Sequence, residues 1–228
     1  MVFYFWDMQI TSTNIGNPTT FLWNGKEEKT GIFKYPVSKA LYLGKTDVKK
    51  DNVIDRKHHG GIDKACFLFS ADEYPFWKKE YPDLDWDWGM FGENLTVEGL
   101  DESITRIGDI FKIGSAVVQV SQPREPCYKL GIRFNDQKIL KKYIEHGRPG
   151  TYVRVLEKGK VKIGDSLEIL EQSKNALTVN QFFCLLYAKK KSPEILRLFM
   201  DNDSVPEYKK VRMRKHVLKK HKLDTKTS

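Results

Sequence analysis

The sequence predicts a mainly β protein: a closed or nearly closed β-barrel with a few helices, followed by a small α-helical appendage. Three observations predict it. Turn signals recur along the first three quarters of the chain, from Gly16-Asn17-Pro18 and Asn24-Gly25 to Gly159 and Gly164-Asp165. The runs between them are short and rich in β-branched and aromatic residues, as strands require. After Leu170 the apolar spacing switches from that of strands to that of helices.

Taken in order, Met1-Val2-Phe3-Tyr4-Phe5-Trp6 is apolar but lacks a basic flank and is too short for a signal sequence, so it reads as an N-terminal strand. Ile110 to Ile113 and Ala116 to Ser121 are typical strand runs. Two helices interrupt them, Ala71 to Glu80 (with Tyr74 and Trp77 on one face) and Asp136 to His146. The pairs Gly108-Asp109 and Gly164-Asp165 have similar surroundings and read as equivalent turns of one barrel. In the C-terminal part, Leu177 to Ala188 carries apolar residues at helical spacing, Pro193 opens a helix to Met200, and Pro206 opens a basic helix to about His221. Each is too short to stand alone and must pack on its neighbours or on the barrel. The expected division is residues 1–170 for the barrel and 171–228 for three helices with a basic tail.

A chain of 228 residues with 40% hydrophobic content supports a substantial core. No apolar run is long enough to span a bilayer. Cys66, Cys127 and Cys184 form neither a disulfide framework nor a CxxC pair, which points to the reducing cytoplasm. The formal charge of +9 is concentrated near the C-terminal end, from Lys209-Lys210 to Lys222. Such a segment suits nucleic acid, an acidic protein, or a solvated helix face. Its one aromatic residue, Tyr208, offers no stacking platform for bases, which argues against nucleic acid.

Four islands could carry chemistry. In Gln122-Pro123-Arg124-Glu125-Pro126-Cys127 a thiol follows an apolar strand, between prolines that limit its freedom. Arg124 favours a thiolate, the form that bonds a metal; on its own, such a cysteine is more often a small buried residue. In Lys57-His58-His59-Gly60-Gly61-Ile62-Asp63-Lys64 the glycines let backbone amides approach a ligand, and Lys64 can reach an anion. His59 suits proton delivery, although the stretch alone reads first as a glycine turn with surface histidines. Gly89 to Thr96 contains Asn94, a donor and acceptor for a heterocycle edge, and a plain turn explains its glycines as well. Lys34 to Lys39 places the Ser38 hydroxyl and the Lys39 ammonium after a proline, a pairing suited to phosphate.

Together these motifs resemble the MOSC-domain proteins, and most closely those of the YiiM type. The resemblance is carried by TGI-x-K-x-PVSK, HHGG-x-DKA, FGENL, VSQPREPCYKL and RPGTYVRVLEKG, in that order, from about Thr30 to His221. It implies a pyruvate-kinase-type β-barrel and a molybdopterin-type molybdenum cofactor ligated by Cys127. It further implies Ser38, Lys39, Asn94 and Arg124 as contacts to the pterin and its phosphate. His59, Gly60 and Gly61 would line the site, and Asp63 would orient the histidine. The implied activity is reduction of N-hydroxylated compounds, such as N-hydroxylaminopurines and hydroxylamines, a detoxification chemistry. With no fused iron–sulfur domain and no dinucleotide fingerprint, electrons would come from a separate flavin reductase or flavodoxin-like protein docking on the basic helices. The resemblance also admits a different role, sulfur transfer through a persulfide on Cys127, because MOSC domains occur on cofactor sulfurases.

Overall fold

The structure, a computed structural model, describes residues 8–54, 56 and 60–224, with side chains up to residue 218. The expected strand at Met1–Trp6, and Lys57, His58 and His59, lie outside the described residues.

Twelve strands and six α-helices make up the described chain. The strands are β1 (Gln9–Gly16), β2 (Thr19–Trp23), β3 (Lys26–Thr30), β4 (Lys34–Pro36), β5 (Leu41–Leu43), β6 (Cys66–Ser70), β7 (Leu95–Glu98), β8 (Ile110–Ile113), β9 (Ala116–Pro123), β10 (Thr151–Glu157), β11 (Gly159–Val161) and β12 (Leu167–Glu171). The helices are α1 (Tyr74–Glu80), α2 (Tyr128–Arg133), α3 (Ile139–His146), α4 (Val179–Tyr187), α5 (Pro193–Asp201) and α6 (Glu207–Asp224). The expected mainly β fold with a helical C-terminal part is what forms, with α2 added where the sequence suggested a loop.

Eight strands form one sheet in the order β12-β8-β9-β10-β6-β7-β1-β4. The expectation of a barrel needs correction, because no continuous ladder closes the sheet among the described residues. Its ends meet through one bridge, Gln9 to Ser166, flanked by main-chain bonds from Ile10 N–H to Asp165 O (2.9 Å) and Leu167 N–H to Met8 O (2.8 Å). β12 is only five residues long and is already paired along β8, so a seam rather than a ladder joins it to β1.

The two Gly-Asp turns are indeed equivalent. Gly108 and Gly164 have φ of 103° and 86°, where a side chain would be strained. Asp109 accepts the Arg106 N–H at 2.8 Å, and Asp165 accepts the Lys162 N–H at 2.9 Å. Each turn is stitched to a passing strand: Gly108 N–H to Val120 O, and Gly164 N–H to Ile10 O, both at 2.9 Å.

β6 is buried throughout, because alternate residues feed different cores. Cys66 and Leu68 join an aliphatic core with Val118, Val120 and Val153, which continues into Phe182, Phe199 and Met213 of the C-terminal helices. Phe67 and Phe69 join an aromatic core with Tyr74 and Trp77 of α1, Phe91, and Tyr143 of α3. The C-terminal helices are therefore packed into the same aliphatic core as the sheet. Helix α4 starts on a reciprocal cap between Thr178 and Gln181, and α5 on the Ser192 hydroxyl with Pro193 in its first turn.

Candidate functional site

One pairing gathers the scattered motifs. β6 and β7 run parallel, with Leu68 opposite Leu95, so both strands start at the same end of the sheet. The segments leading into them, which carry Lys64 and Asn94, open together onto one cleft. β10, antiparallel to β6 and β9, sets Tyr152 opposite both Phe67 and Gln122. The loop leaving β9 then returns over the same end with Arg124 and Cys127.

The loop holding Asn94 is fixed by a buried carboxylate. Glu93 is fully buried; it accepts the Tyr74 hydroxyl at 2.5 Å, the Gly89 N–H and Thr96 hydroxyl at 2.9 Å, and the Phe91 N–H at 3.1 Å. Burial raises its pKa even against those donors. Asn94 follows with its amide committed: its oxygen accepts the Phe67 N–H at 3.3 Å, and its nitrogen donates to Asp51 Oδ2 at 2.9 Å and Asn14 O at 3.3 Å. Asp51 also pairs with Lys34 and accepts the Gly16 N–H.

Cys127 ends the Pro123–Pro126 loop in extended geometry, directly before α2, with its carbonyl accepting the Leu130 N–H at 2.8 Å. It stands on the partition between two chambers, both of which it lines with Lys64 and Tyr152.

The inner chamber adds Lys34, Asn94, Arg124 and Lys129. It is walled by four cations and by no carboxylate among the described residues. Lys34, Arg124 and Lys129 are all more than nine-tenths buried. Arg124 lies 5.3 Å from the Phe67 ring and 5.8 Å from the Tyr143 ring, and its buried Nη1 has no hydrogen-bond partner. Burial works against its charge, but Tyr143, Tyr152 and Cys127 more than offset that and hold it protonated.

The outer chamber, more open, adds Gly60, Gly61, Asp63, Glu125, Tyr128 and the first turns of α6. Gln122 ties its parts together, donating to Asp63 O at 3.2 Å and accepting the Tyr208 hydroxyl at 2.7 Å. Glu125 is clasped by Lys209 and Arg212. Burial and Asp63, Glu125 and Tyr152 push the Tyr208 phenol up to about 12, while Gln122 opposes them.

Of the residues expected from sequence, Gly60, Gly61, Asp63, Asn94, Arg124 and Cys127 come together at these chambers. Ser38 and Lys39 do not; both are exposed beyond β4, and Lys34 from the same island lines the inner wall instead. The Asp63 carboxylate is engaged by Arg154 at 2.5 Å. His59 lies outside the described residues. Lys129, Tyr208 and Lys209 went unnoticed as site residues. Lys209 had a signal, because Val205, Lys209 and Met213 recur every fourth residue and all are buried. Of the remaining thiols, Cys66 is buried and pushed by that burial to about 12, and Cys184 lines neither chamber.

Comparison with known proteins agrees with this geometry. Residues 55–168, half of the chain, match the MOSC domain. "Uncharacterized protein YflK" of Bacillus subtilis (strain 168) is 42% identical over 170 residues, which are 75% of this chain and 76% of that protein. A protein named "Reductase" from Gibberella moniliformis is 37% identical over 152 residues, 65% of this chain but only 27% of that longer protein. The crystal structure of YiiM from Geobacillus stearothermophilus has a TM-score of 0.76 at 28% identity, covering 91% of this chain and 98% of that one. With Cys127, Arg124 and Asn94 inside the matched segment and the helical C-terminal part inside the structural match, the chain belongs to the MOSC-domain family and is of the YiiM type.

Proposed function

We propose that the protein is a molybdenum-cofactor-dependent reductase of N-hydroxylated compounds, supplied with electrons by a separate protein. One observation carries this reading: a thiol on the wall of a chamber lined by the buried Arg124 and Lys129 and by no carboxylate among the described residues. Lys34 is already paired with Asp51, but Arg124 and Lys129 are buried beside no lining carboxylate. Buried charge of that kind is costly, and a phosphate-bearing pterin would offset the cost. The residues fit such a group. Cys127 Sγ offers a soft ligand. The unpartnered Arg124 Nη1 is a donor waiting for an anionic oxygen. Lys129 would balance further negative charge.

When bound, the cofactor supplies the two-electron redox chemistry that breaks an N–O bond. The chain's own residues hold and orient it. Asn94 and Glu93 keep the wall rigid rather than bonding to the pterin, since their polar atoms are already engaged. His59, directly before Gly60, is the proposed proton source for the departing amine. The exposed Lys215 and Arg214 of α6 suit an acidic flavin reductase or flavodoxin-like donor. The reduced thiols this scheme needs accord with a cytoplasmic setting, and no helix among the described residues is long and apolar enough to cross a membrane.

The test is metal and pterin analysis of protein made in a host that synthesises the cofactor, with Cys127→Ala alongside. Near-stoichiometric molybdenum, lost in the variant together with N-hydroxylaminopurine reduction by a reduced dye, is the expected result. Metal-free protein bearing persulfide sulfur on Cys127 would overturn it in favour of sulfur transfer.

A further inference from the structure

The outer chamber lies on the other side of Cys127 and is built from parts distant in the chain. Its walls come from four distant segments: the Gly60–Lys64 turn, the Gln122–Tyr128 loop, Tyr152 of β10 and the start of α6. These are stitched by Gln122 and by the clasp of Lys209 and Arg212 on Glu125. Lys209 is only 3% exposed, whereas the Arg212 side chain is 58% exposed at the mouth.

The lining has a definite chemistry. Three tyrosines, Tyr128, Tyr152 and Tyr208, supply aromatic surface. Tyr128 is itself backed by Trp23, with ring centroids 5.0 Å apart, and bonded to Glu28, so its ring is held in place. Two cations from α6, Lys209 and Arg212, line the chamber with two carboxylates, Asp63 and Glu125. Asp63 is already engaged by Arg154, and one carboxylate, Glu125, serves both Lys209 and Arg212. Positive charge is thus left in excess. Lys209 shows the effect: burial lowers its pKa to about 8 despite Glu125, and Arg212 and Lys64 add to the lowering. Flat aromatic walls favour a planar ring, and surplus cations at the mouth favour an acidic group on it.

We propose that the outer chamber is the substrate site and selects planar aromatic compounds that carry a carboxylate or a similar anionic group, which Arg212 and Lys209 recognise from helix α6. This rests on the reductase reading only for the word substrate. The ligand class follows from the chamber itself. The C-terminal helical part is accordingly part of the site, and differences in α6 alter what is bound.

The test uses the metal-free protein first, titrated calorimetrically with 4-aminobenzoate and with aniline as carboxylated and neutral amine products. The carboxylated ring should bind at least about tenfold more tightly, and Arg212→Gln should erase most of that difference while leaving aniline unchanged. Arg212 is exposed, so this variant folds. Equal binding of the two rings, binding of neither, or an equal loss for both in the variant would overturn the proposal. So would Arg212→Gln emptying the protein of molybdenum and pterin with the ring preference intact, because the cations would then serve the cofactor. Turnover of 4-(hydroxyamino)benzoate and phenylhydroxylamine by loaded protein separates the two ideas. Reduction of both with one KM defeats the ligand class and leaves the reductase standing. Reduction of neither, with the binding preference preserved, defeats the reductase and leaves the ligand class standing.

Discussion

The inner and outer chambers share Cys127, Lys64 and Tyr152 but differ in how they are built. The inner one takes its cations from strand ends and from the loop and helix after β9; Lys34 is paired with Asp51, while Arg124 and Lys129 are buried with no carboxylate lining the chamber among the described residues. The outer one mixes charges, pairs them and takes part of its wall from α6. Unbalanced buried charge suits a permanent resident with several negative groups. Partly paired charge beside open solvent suits a visitor that must leave. The difference teaches that one thiol can be addressed from two sides by surfaces under different constraints.

The comparison breaks most sharply at Arg124. Replacing it with Met removes the unpartnered Nη1 donor from the inner wall, and bound molybdenum should fall by roughly 10- to 100-fold in affinity. Binding of 4-aminobenzoate to the metal-free variant should stay unchanged. Metal analysis and calorimetry on one preparation read both, and parallel losses would mean that the chambers are not separate.

Lys209→Met attacks the outer side. It leaves the half-buried Glu125 with Arg212 alone, and stability should fall by roughly 1–3 kcal/mol in urea unfolding. Cofactor content should hold while ring binding weakens. Loss of cofactor at unchanged stability would contradict the division.

A control lies away from both chambers. Glu102 is completely buried, accepts the Gly150 N–H at 2.9 Å and is pushed by burial to about 7. Because its folded pKa is raised, the stability it contributes is full below about pH 4.5 and is lost as pH rises through about 7. The loss amounts to about 3 kcal/mol at most. Glu102→Gln should flatten that decline in thermal melts taken from pH 5 to 8, without altering either ligand. A variant that kept the slope would place the titrating group elsewhere.

Much of this site could be read from sequence because its residues sit in unusual local company. Cys127 between prolines and Asn94 among glycines announce themselves without any knowledge of the fold. Lys34 did not, since strand alternation decides which of Lys34 to Lys39 turns inward, and its partner Asp51 is distant in the chain. The strand and helix textures marked the large elements. Helix α2 escaped because it is six residues long, contains Gly131 and follows Pro126. The seam between β1 and β12 rests on one bridge and a few main-chain bonds, which leave no compositional trace. Lys209 looked like part of a solvated basic face. Only its spacing from Val205 and Met213 set it apart.

The twin Gly-Asp turns bear on how the chain assembles in time. Gly108 bonds to Val120, a partner close in sequence, so that loop closes at small entropic cost. Gly164 makes the same bond to Ile10, near the opposite end of the chain. Identical local geometry therefore belongs to an early event in one place and a late one in the other. Folding should begin around β8 and β9 and finish when the seam beside Gln9 and Ser166 zips shut. A nascent chain would hold most of its sheet before its two edges ever met.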